Sequence, residues 1–192
     1  MDQIYGFSKE KKFLINNYHK NSLANSIIFS GQKGIGKSTF VFNLLKEIFK
    51  LSVNENQIMH HLNLINNNSH TNIRYLTKDY DEKLKKEKTI ITVEQIRKLN
   101  NFFYETTFND LPKFIIIDSA DDLNINASNS LLKILEEPKN KTYIFLISHQ
   151  LSSLLPTIRS RCLKFNFKNH NFETFKMILN DKIDTDNEEN LE

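Results

Sequence analysis

The segment Gly31-Gln32-Lys33-Gly34-Ile35-Gly36-Lys37-Ser38 decides the fold of this chain. It matches G-x-x-x-x-G-K-[ST], the P-loop pattern, in which backbone N–H groups surround phosphate oxygens. The stretch Ser26 to Ser30 reads as a short buried strand before it, and Ser38 to Lys50 has the spacing of an amphipathic helix. Because a P-loop joins a strand to a helix, this order favours a phosphate-binding turn over an ordinary glycine-rich turn.

The residue types in this segment suit a nucleotide with Mg²⁺. The chain has four glycines, and three of them lie here, where the backbone must turn tightly and approach a ligand. Lys37 supplies a positive charge for the β- and γ-phosphates, and the Ser38 hydroxyl is a ligand for Mg²⁺. We therefore expect ATP or ADP with Mg²⁺ to bind here. The predicted nucleotide-binding residues of the loop are Gly31, Gly34, Ile35, Gly36, Lys37, Ser38 and Thr39.

Composition limits the classes of protein that remain. The 192 residues are enough for one domain with a buried core, and the formal net charge of +3 is too small to indicate nucleic acid by itself. Cys162 is the only cysteine, which excludes an internal disulfide and a cysteine-rich zinc module. No apolar run reaches membrane-spanning length. We expect a soluble cytoplasmic protein with no membrane contact.

Strand-like and helix-like segments alternate along the chain. The predicted strands after the first are Asn72–Leu76, Lys113–Asp118, Thr142–Ser148 and Leu163–Phe167. Predicted helices begin at an N-cap Ser8, at a capping box Thr92 to Gln95, at an N-cap Asn126, at Leu155-Pro156 and at Phe172. This alternation predicts an α/β fold with a parallel sheet flanked by helices.

Other segments carry weaker signals. Pro138 is expected to end the helix that Asn126 begins. Leu51 to Thr71 shows little periodicity, and the charged run Lys78 to Lys88 is expected to be a solvated loop. The last residues, Asp181 to Glu192, are acidic and polar and are expected to fray.

Asp118 is the second candidate for the site. It follows four apolar residues and so lies at the carboxyl end of a strand, where parallel sheets bind ligands. There it would bind Mg²⁺ as the Walker B aspartate does. Many ATPases carry a glutamate next, which activates water, whereas this chain has Ser119, a poor general base. Asp121 and Asp122 lie too far along to point at the same place. The sequence therefore favours nucleotide binding over hydrolysis.

Two arginines, Arg159 and Arg161, follow Pro156. An arginine on a short helix at a domain surface can act as an arginine finger on a neighbouring subunit. Two solvated arginines are the simpler interpretation when this segment is taken alone.

Four segments together resemble the AAA+ clamp-loader family. They are Gly31 to Ser38, Ile115 to Asn124, Ala127 to Pro138, which contains L-L-K-x-L-E-E-P, and Thr157 to Cys162, which contains S-R-C. The resemblance runs from about Gly6 to Phe167. It implies an AAA+ P-loop NTPase core in a five-subunit ring that opens a sliding clamp and places it on primed DNA. The implied partners are the other subunits of the ring, of the gamma/tau and delta types, together with the clamp and the DNA.

The resemblance also assigns roles to single residues. It implies that Asp118 and Ser38 hold Mg²⁺, that Ser148 or His149 senses the nucleotide, and that Arg161 is a finger acting in trans. Tyr5 falls near the segment that packs on adenine. Arg159 is given a structural or DNA-facing role.

Three features depart from the family pattern. Relatives often carry a four-cysteine zinc module after the P-loop helix; this chain does not, so we expect no zinc and treat His60, His61 and His70 as solvated loop residues. Ser119 replaces the usual glutamate. Residues 1–168 form the expected core, and 169–192 hold only the start of a helical lid and an acidic tail, without the lid's sensing arginine or the collar domain.

Three functions compete. The first is a clamp-loader subunit that binds ATP, turns it over weakly and offers Arg161 to its neighbour as a stator. The second is a fully active motor subunit, with an unidentified side chain in place of the missing glutamate. The third is a P-loop kinase of small molecules, in which the E-E-P and S-R-C segments would have no role.

Overall fold

A five-stranded parallel sheet is the centre of the fold. The computed structural model describes residues 6–105, 110–137, 139, 141–170, 174, 176 and 177. The sheet contains β1 (Ser26–Ser30), β2 (Ile73–Leu76), β5 (Lys113–Asp118), β6 (Thr142–Ser148) and β7 (Leu163–Asn166). Their order across the sheet is β2-β5-β6-β1-β7, and every neighbouring pair is parallel. The predicted α/β class with a parallel sheet is confirmed.

Helices cover both faces of the sheet. They are α1 (Ser8–His19), α2 (Lys37–Ser52), α3 (Glu55–Asn66), α4 (Val93–Tyr104), α5 (Ile125–Glu136) and α6 (Pro156–Ser160). Side chains alternate along each strand, so Ile28 joins one apolar cluster and Phe29 the other. The first cluster contains buried residues of α4, α5 and α6, and the second contains those of α1, α2 and α3. Two separate cores therefore hold the sheet in place.

Several local predictions are confirmed. Gln95 Oε1 accepts the Thr92 N–H at 3.0 Å in the capping box of α4. Pro156 stands in the first turn of α6, where its missing N–H costs nothing.

Two predicted N-caps are wrong. Asn124, rather than Asn126, caps α5, because its Oδ1 accepts the Ala127 N–H at 2.8 Å. At the first helix, Ser8 is already helical and Phe7 is the N-cap.

Two segments that carried no element in the sequence prediction are ordered. Helix α3 lies within residues 51–71. The prediction of little periodicity there is wrong, because Ile58, Leu62 and Ile65 are spaced as on one face of a helix. The charged run 78–88 contains an exposed two-stranded hairpin, β3 (Tyr80–Asp81) with β4 (Lys86–Glu87). Its backbone hydrogen bonds hold it together, so hydrophobic patterning could not indicate it.

Some predictions fall outside the described residues. These are the role of Tyr5, the stop at Pro138, most of the helix 172–179 and the tail 181–192. None of the helices in the described part of the chain combines the length and the apolar character that a membrane crossing requires.

Candidate nucleotide-binding site

The carboxyl ends of three strands bring the candidate residues together. β6 lies between β1 and β5, and its last residue Ser148 pairs with Ser30, the last residue of β1. On the other side, Asp118 at the end of β5 pairs with Ile147. The P-loop follows β1 directly, so the loop, Ser148 and Asp118 line one edge of the sheet. This is the edge at which open parallel sheets bind ligands.

Glycine is required at the turn out of β1. A Cβ added to Gly31 would lie 2.6 Å from the backbone oxygen of Phe167 and 2.9 Å from Ile35 Cδ1. Gly36 is the residue before α2 and has a φ of 90°, which side chains rarely adopt. These two positions let the backbone turn into α2 with its N–H groups at the helix N-terminus, where anions bind.

Lys37 is held at the base of the loop. Its ammonium donates to the carbonyl oxygens of Gly31 at 2.7 Å and Gln32 at 2.8 Å, and the residue is only 3% exposed. Burial lowers the pKa of Lys37, and the nearby carboxylates of Asp118 and Asp121 oppose that shift. A buried cation held by neutral carbonyl groups is well suited to phosphate, because phosphate would supply a direct counter-charge.

Ser38 and Asp118, which are eighty positions apart in the chain, meet directly. The Ser38 hydroxyl donates to Asp118 Oδ2 at 2.7 Å. A hydroxyl beside a carboxylate suits Mg²⁺, which takes few protein ligands and fills its shell with water and phosphate oxygens. Ser38 and Asp118 could therefore hold Mg²⁺. Within the described ranges no three His, Cys, Asp or Glu side chains form a metal cage.

Tyr75 is a member of the site that the sequence did not indicate. Its hydroxyl donates to the same Asp118 Oδ2 that Ser38 contacts. Burial, together with the hydrogen bond to Asp118, raises the pKa of Tyr75, so the hydroxyl stays protonated and remains a donor. The contact depends on β2 pairing with β5, and the only signal in the sequence was that a polar aromatic residue lies in a predicted strand.

Ser119 lies where a water-activating glutamate was expected, and its hydroxyl is already engaged. Ser119 Oγ is 2.9 Å from Nε2 of His149, and its backbone is left-handed with φ of 60°. Burial and the charge of Lys37 lower the pKa of His149, which keeps the imidazole neutral. The residue at the expected general-base position is therefore a hydroxyl paired with a neutral imidazole, not a carboxylate.

Asp121 points away from this position, as expected. Its carboxylate accepts from the hydroxyls of Ser148 and Ser153, both at 2.7 Å, and from the backbone N–H groups of His149 and Gln150. Burial alone would raise the pKa of Asp121, but these four donors lower it overall. The bonds tie the loop after β5 to the loop after β6, and they hold the candidate sensor Ser148 by its hydroxyl.

Ile35 lies in the loop, and Thr39 lies in the first turn of α2. The Ile35 carbonyl oxygen is 3.1 Å from His170 Nε2. The Ile35 side chain packs against Gly31, where an added Cβ would lie 2.9 Å from Ile35 Cδ1. The Thr39 carbonyl oxygen accepts from Asn43 at 3.1 Å.

The interpretation of the three histidines as solvated loop residues is wrong for His61 and His70, and for His60 only the solvent exposure agrees, because His60 lies on a helix. His61 lies on α3, and its Nδ1 is 2.9 Å from Nε2 of His70, which is 3% exposed. The His70 ring packs 4.3 Å from the ring of Phe49. His60 is exposed on α3. The formation of α3, which the sequence did not predict, places His61 against His70.

Arg161 is at the opposite edge of the sheet from the P-loop. It follows α6 and comes just before β7 begins, and its Nη2 is 2.7 Å from Glu136 Oε1 at the end of α5. Helix α5 starts at the carboxyl edge and has twelve residues, a length of about 18 Å. Glu136 and its partner Arg161 therefore lie about that far from the carboxyl edge. Arg159 is partly buried, and its Nε has no hydrogen-bond partner among the described residues.

Comparison with solved structures shows which known proteins share the fold. A gamma subunit-related protein of DNA polymerase III from Thermotoga maritima has a TM-score of 0.60 at 21% identity, covering 87% of this chain and 47% of that one. The RuvB Holliday junction branch migration motor of Thermotoga maritima has a TM-score of 0.51 at 14% identity, covering 88% and 47%. These similarities show a shared fold, and the parallel sheet with the P-loop and Asp118 at its carboxyl edge matches the core that the sequence predicts.

Sequence comparison then identifies the family. Residues 7–171 match the family described as "DNA polymerase III, delta subunit". The chain belongs to that family.

Two curated relatives illustrate the match. DNA polymerase III subunit delta' of Bacillus subtilis is 33% identical over 159 residues, 82% of this chain and 46% of the relative. DNA polymerase III subunit gamma/tau of Mycoplasma genitalium is 29% identical over 182 residues, 93% and 29%. The chain therefore spans less than half the length of these relatives.

Proposed function

We propose that the chain is an ATP-binding subunit of a DNA polymerase III clamp loader in the cytoplasm. It would assemble with subunits of the gamma/tau and delta types and help to load the sliding clamp onto primed DNA. The observation that carries this proposal is the 2.7 Å contact between Ser38 and Asp118, which completes a P-loop site in a chain of this family. The family and the delta' and gamma/tau relatives support the assembly.

In this proposal different residues bind different parts of the nucleotide. The backbone of the loop from Gly31 to Gly36 surrounds the phosphates, and Lys37 neutralises their charge. Ser38 and Asp118 hold Mg²⁺, which when bound would neutralise the β- and γ-phosphates. Ser148 contacts the γ-phosphate end as a sensor, and Tyr5, outside the described residues, packs on the base.

Weak turnover by the chain itself is part of the proposal. Ser119 is bonded to His149, and Asp121 is occupied by four donors, so neither is placed to take a proton from water. Loss of a general base costs about 10²–10⁴ in rate. This favours a stator over the alternative, an active motor subunit.

The second part of the proposal is that Arg161 acts on the ATP of an adjacent subunit. Its place at the edge opposite the P-loop, about one helix length away, supports action in trans. A guanidinium suits this task because it is permanently charged and its forked donors match phosphate oxygens.

The division of the chain remains a proposal as well. Residues 1–168 would form the AAA+ core, and 169–192 would hold the start of a helical lid and a polar tail.

Nucleotide binding is tested with Lys37→Ala. Because Lys37 is buried under the loop, its loss should abolish binding of fluorescent ATP or ADP analogues in the presence of Mg²⁺. Lys33→Ala is the matched control, since Lys33 is an exposed lysine of the same loop and should bind as wild type does. Unchanged affinity in Lys37→Ala would sink the site assignment.

Turnover separates the stator from the motor. The isolated chain should hydrolyse ATP negligibly, and Ser119→Glu should raise the rate if the remainder of the site is intact. Robust hydrolysis by the wild-type chain alone would favour the motor.

Action in trans is tested in the assembled complex. Arg161→Ala should lower clamp- and DNA-stimulated ATP hydrolysis while this chain still binds nucleotide. Fingers of this kind contribute roughly 10³–10⁵ in rate at one site, and a ring with several sites dilutes that loss. Lys164→Ala, an exposed basic residue on β7, is the control. A wild-type rate of hydrolysis and clamp loading with Arg161→Ala would refute the finger.

A further inference from the structure

Two sequence motifs that are distant in the chain contact each other in the fold. Glu136 belongs to the L-L-K-x-L-E-E-P segment, and Arg161 belongs to the S-R-C segment 25 positions later. In the structure Glu136 Oε1 is 2.7 Å from Arg161 Nη2. The Nη1 atom of the same arginine donates to the Thr157 carbonyl oxygen at 3.0 Å. The guanidinium is thus held at two of its nitrogen atoms, which sets both its position and the direction of its plane.

The position of Glu136 is electrostatically unfavourable without a cation. It is the last residue of α5, and the C-terminus of a helix carries partial negative charge, which destabilises a carboxylate there. Arg161 supplies the compensating charge. The pair remains accessible to water, with side chains 37% exposed for Arg161 and 49% for Glu136. Exposed ion pairs contribute little to stability, so overall stability gives no reason for this pair.

The need to orient the Arg161 side chain gives a reason for the ion pair with Glu136. An arginine side chain has several rotatable bonds, and a finger works only if its donors point at the phosphate when the neighbouring subunit docks. A guanidinium has five N–H donors. The contacts with Glu136 and Thr157 use one N–H on each terminal nitrogen, and such a clamp leaves the side chain able to donate to an additional acceptor.

We propose that Glu136 is a positioning residue for Arg161 and holds its guanidinium in the direction needed to reach the nucleotide of the adjacent subunit. This inference rests on the proposed finger function of Arg161. Glu136 itself does not touch the nucleotide. Its carboxylate acts by fixing one Nη of the arginine, while the Thr157 carbonyl fixes the other.

The neighbouring glutamate provides a matched control. Glu137 is also exposed and carries the same charge, but its Oε2 accepts from the Tyr104 hydroxyl at 3.0 Å. A general effect of negative charge at the end of α5 would involve both residues. A positioning effect involves Glu136 alone.

The test uses the assembled clamp-loader complex with the full-length subunit. Clamp- and DNA-stimulated ATP hydrolysis is measured for Glu136→Ala, Glu136→Gln, Glu137→Ala, Arg161→Ala and the double variant Glu136→Ala/Arg161→Ala. We expect Glu136→Ala to lower kcat by about threefold to tenfold, with KM for ATP unchanged, because misdirected groups lose rate without losing binding. Glutamine keeps an oxygen acceptor and should recover most of the loss. Glu137→Ala should behave as wild type does.

The double variant separates positioning from an independent role. If Glu136 acts only through Arg161, its removal should cause no additional loss in the Arg161→Ala background. Losses that multiply in the double variant would overturn the inference. So would faster hydrolysis with both Glu136 variants, because that would make Glu136 a restraint on the finger.

Failure of this inference differs from failure of the proposed function. A reduced rate in Arg161→Ala with a wild-type rate in Glu136→Ala removes the positioning role and leaves the finger. A wild-type rate in Arg161→Ala removes both. Thermal unfolding of each isolated variant checks that it is folded. Glu136→Leu, which keeps a side chain of similar size but has no acceptor for the arginine, replaces Glu136→Ala if that variant is unstable.

Discussion

Acid should destabilise this protein through one buried histidine. The backbone N–H of Asn72 donates to Nδ1 of His70 at 3.0 Å, so Nδ1 is an acceptor and Nε2 carries the proton. That proton is directed at Nδ1 of His61, 2.9 Å away. A second proton on His70 would have to enter at Nδ1, where it would face the Asn72 N–H. Protonation therefore breaks a buried hydrogen bond and places a charge on a ring that is only 3% exposed.

The size of the effect follows from the pKa. Burial, with a smaller contribution from His61 and His60, lowers the pKa of His70 from 6.5 to about 4. Below pH 6.5 the unfolded chain binds a proton at His70 that the folded chain binds only near pH 4. Stability must therefore fall as the pH falls through this window, by about 3 kcal/mol in total at 1.36 kcal/mol per pKa unit. About 2.5 kcal/mol of it should be lost by pH 4.5.

The assay is urea unfolding at pH 7.5, 6.5, 5.5 and 4.5. His70→Asn is the comparison, because an asparagine oxygen can accept the Asn72 N–H but does not titrate. The variant should be less stable at pH 7.5, since it loses contact with Phe49, but its free energy of unfolding should fall less towards pH 4.5. Carboxylates titrate in both proteins, so the difference between the two curves reports the His61–His70 pair. Parallel curves would refute this account of the buried pair.

Three more outcomes are expected. Lys113→Met should lower the free energy of unfolding in urea by about 2 kcal/mol, because the ammonium donates to the carbonyls of Phe102 and Glu105 at the end of α4. The control is Lys86→Met, which removes an exposed lysine. An equal loss of stability in the two variants would contradict the prediction. Asn124→Ala should cost about 1 kcal/mol of stability and Asn126→Ala much less, since only Asn124 caps α5; equal losses would show that the cap is unimportant. Elemental analysis of protein purified without added metal should find well under one zinc per chain, and a stoichiometric zinc would point to His60, His61 and His70.

Strong local signals predicted most elements of the fold. The buried strands Ser26–Ser30 and Thr142–Ser148 have the predicted ends, because continuous apolar runs between turn residues have few alternatives in a parallel sheet. Helix α3 was missed because asparagine and histidine are frequent in residues 51–71, and the helical spacing of Ile58, Leu62 and Ile65 covers only two turns. Its buried Ile65 packs in the same apolar cluster as α2. The wrong cap at Asn126 has a local cause: Asn124 and Asn126 are chemically equal candidates, and only the backbone path after β5 selects the first.

The sequence by itself determined the identity of the P-loop, the presence of Asp118 at a strand end and the absence of a glutamate after it. These are local facts, because each depends on residue type within a few positions of one strand or turn. Only the tertiary structure decided which distant side chains meet. The order β2-β5-β6-β1-β7 places Ser148 between the loop and Asp118 and brings the Tyr75 hydroxyl to Asp118. It also places Arg161 beside Glu136, at the opposite edge from the loop. Strand order depends on how helices and strands pack into two common cores, and that free energy is shared among residues far apart in the chain.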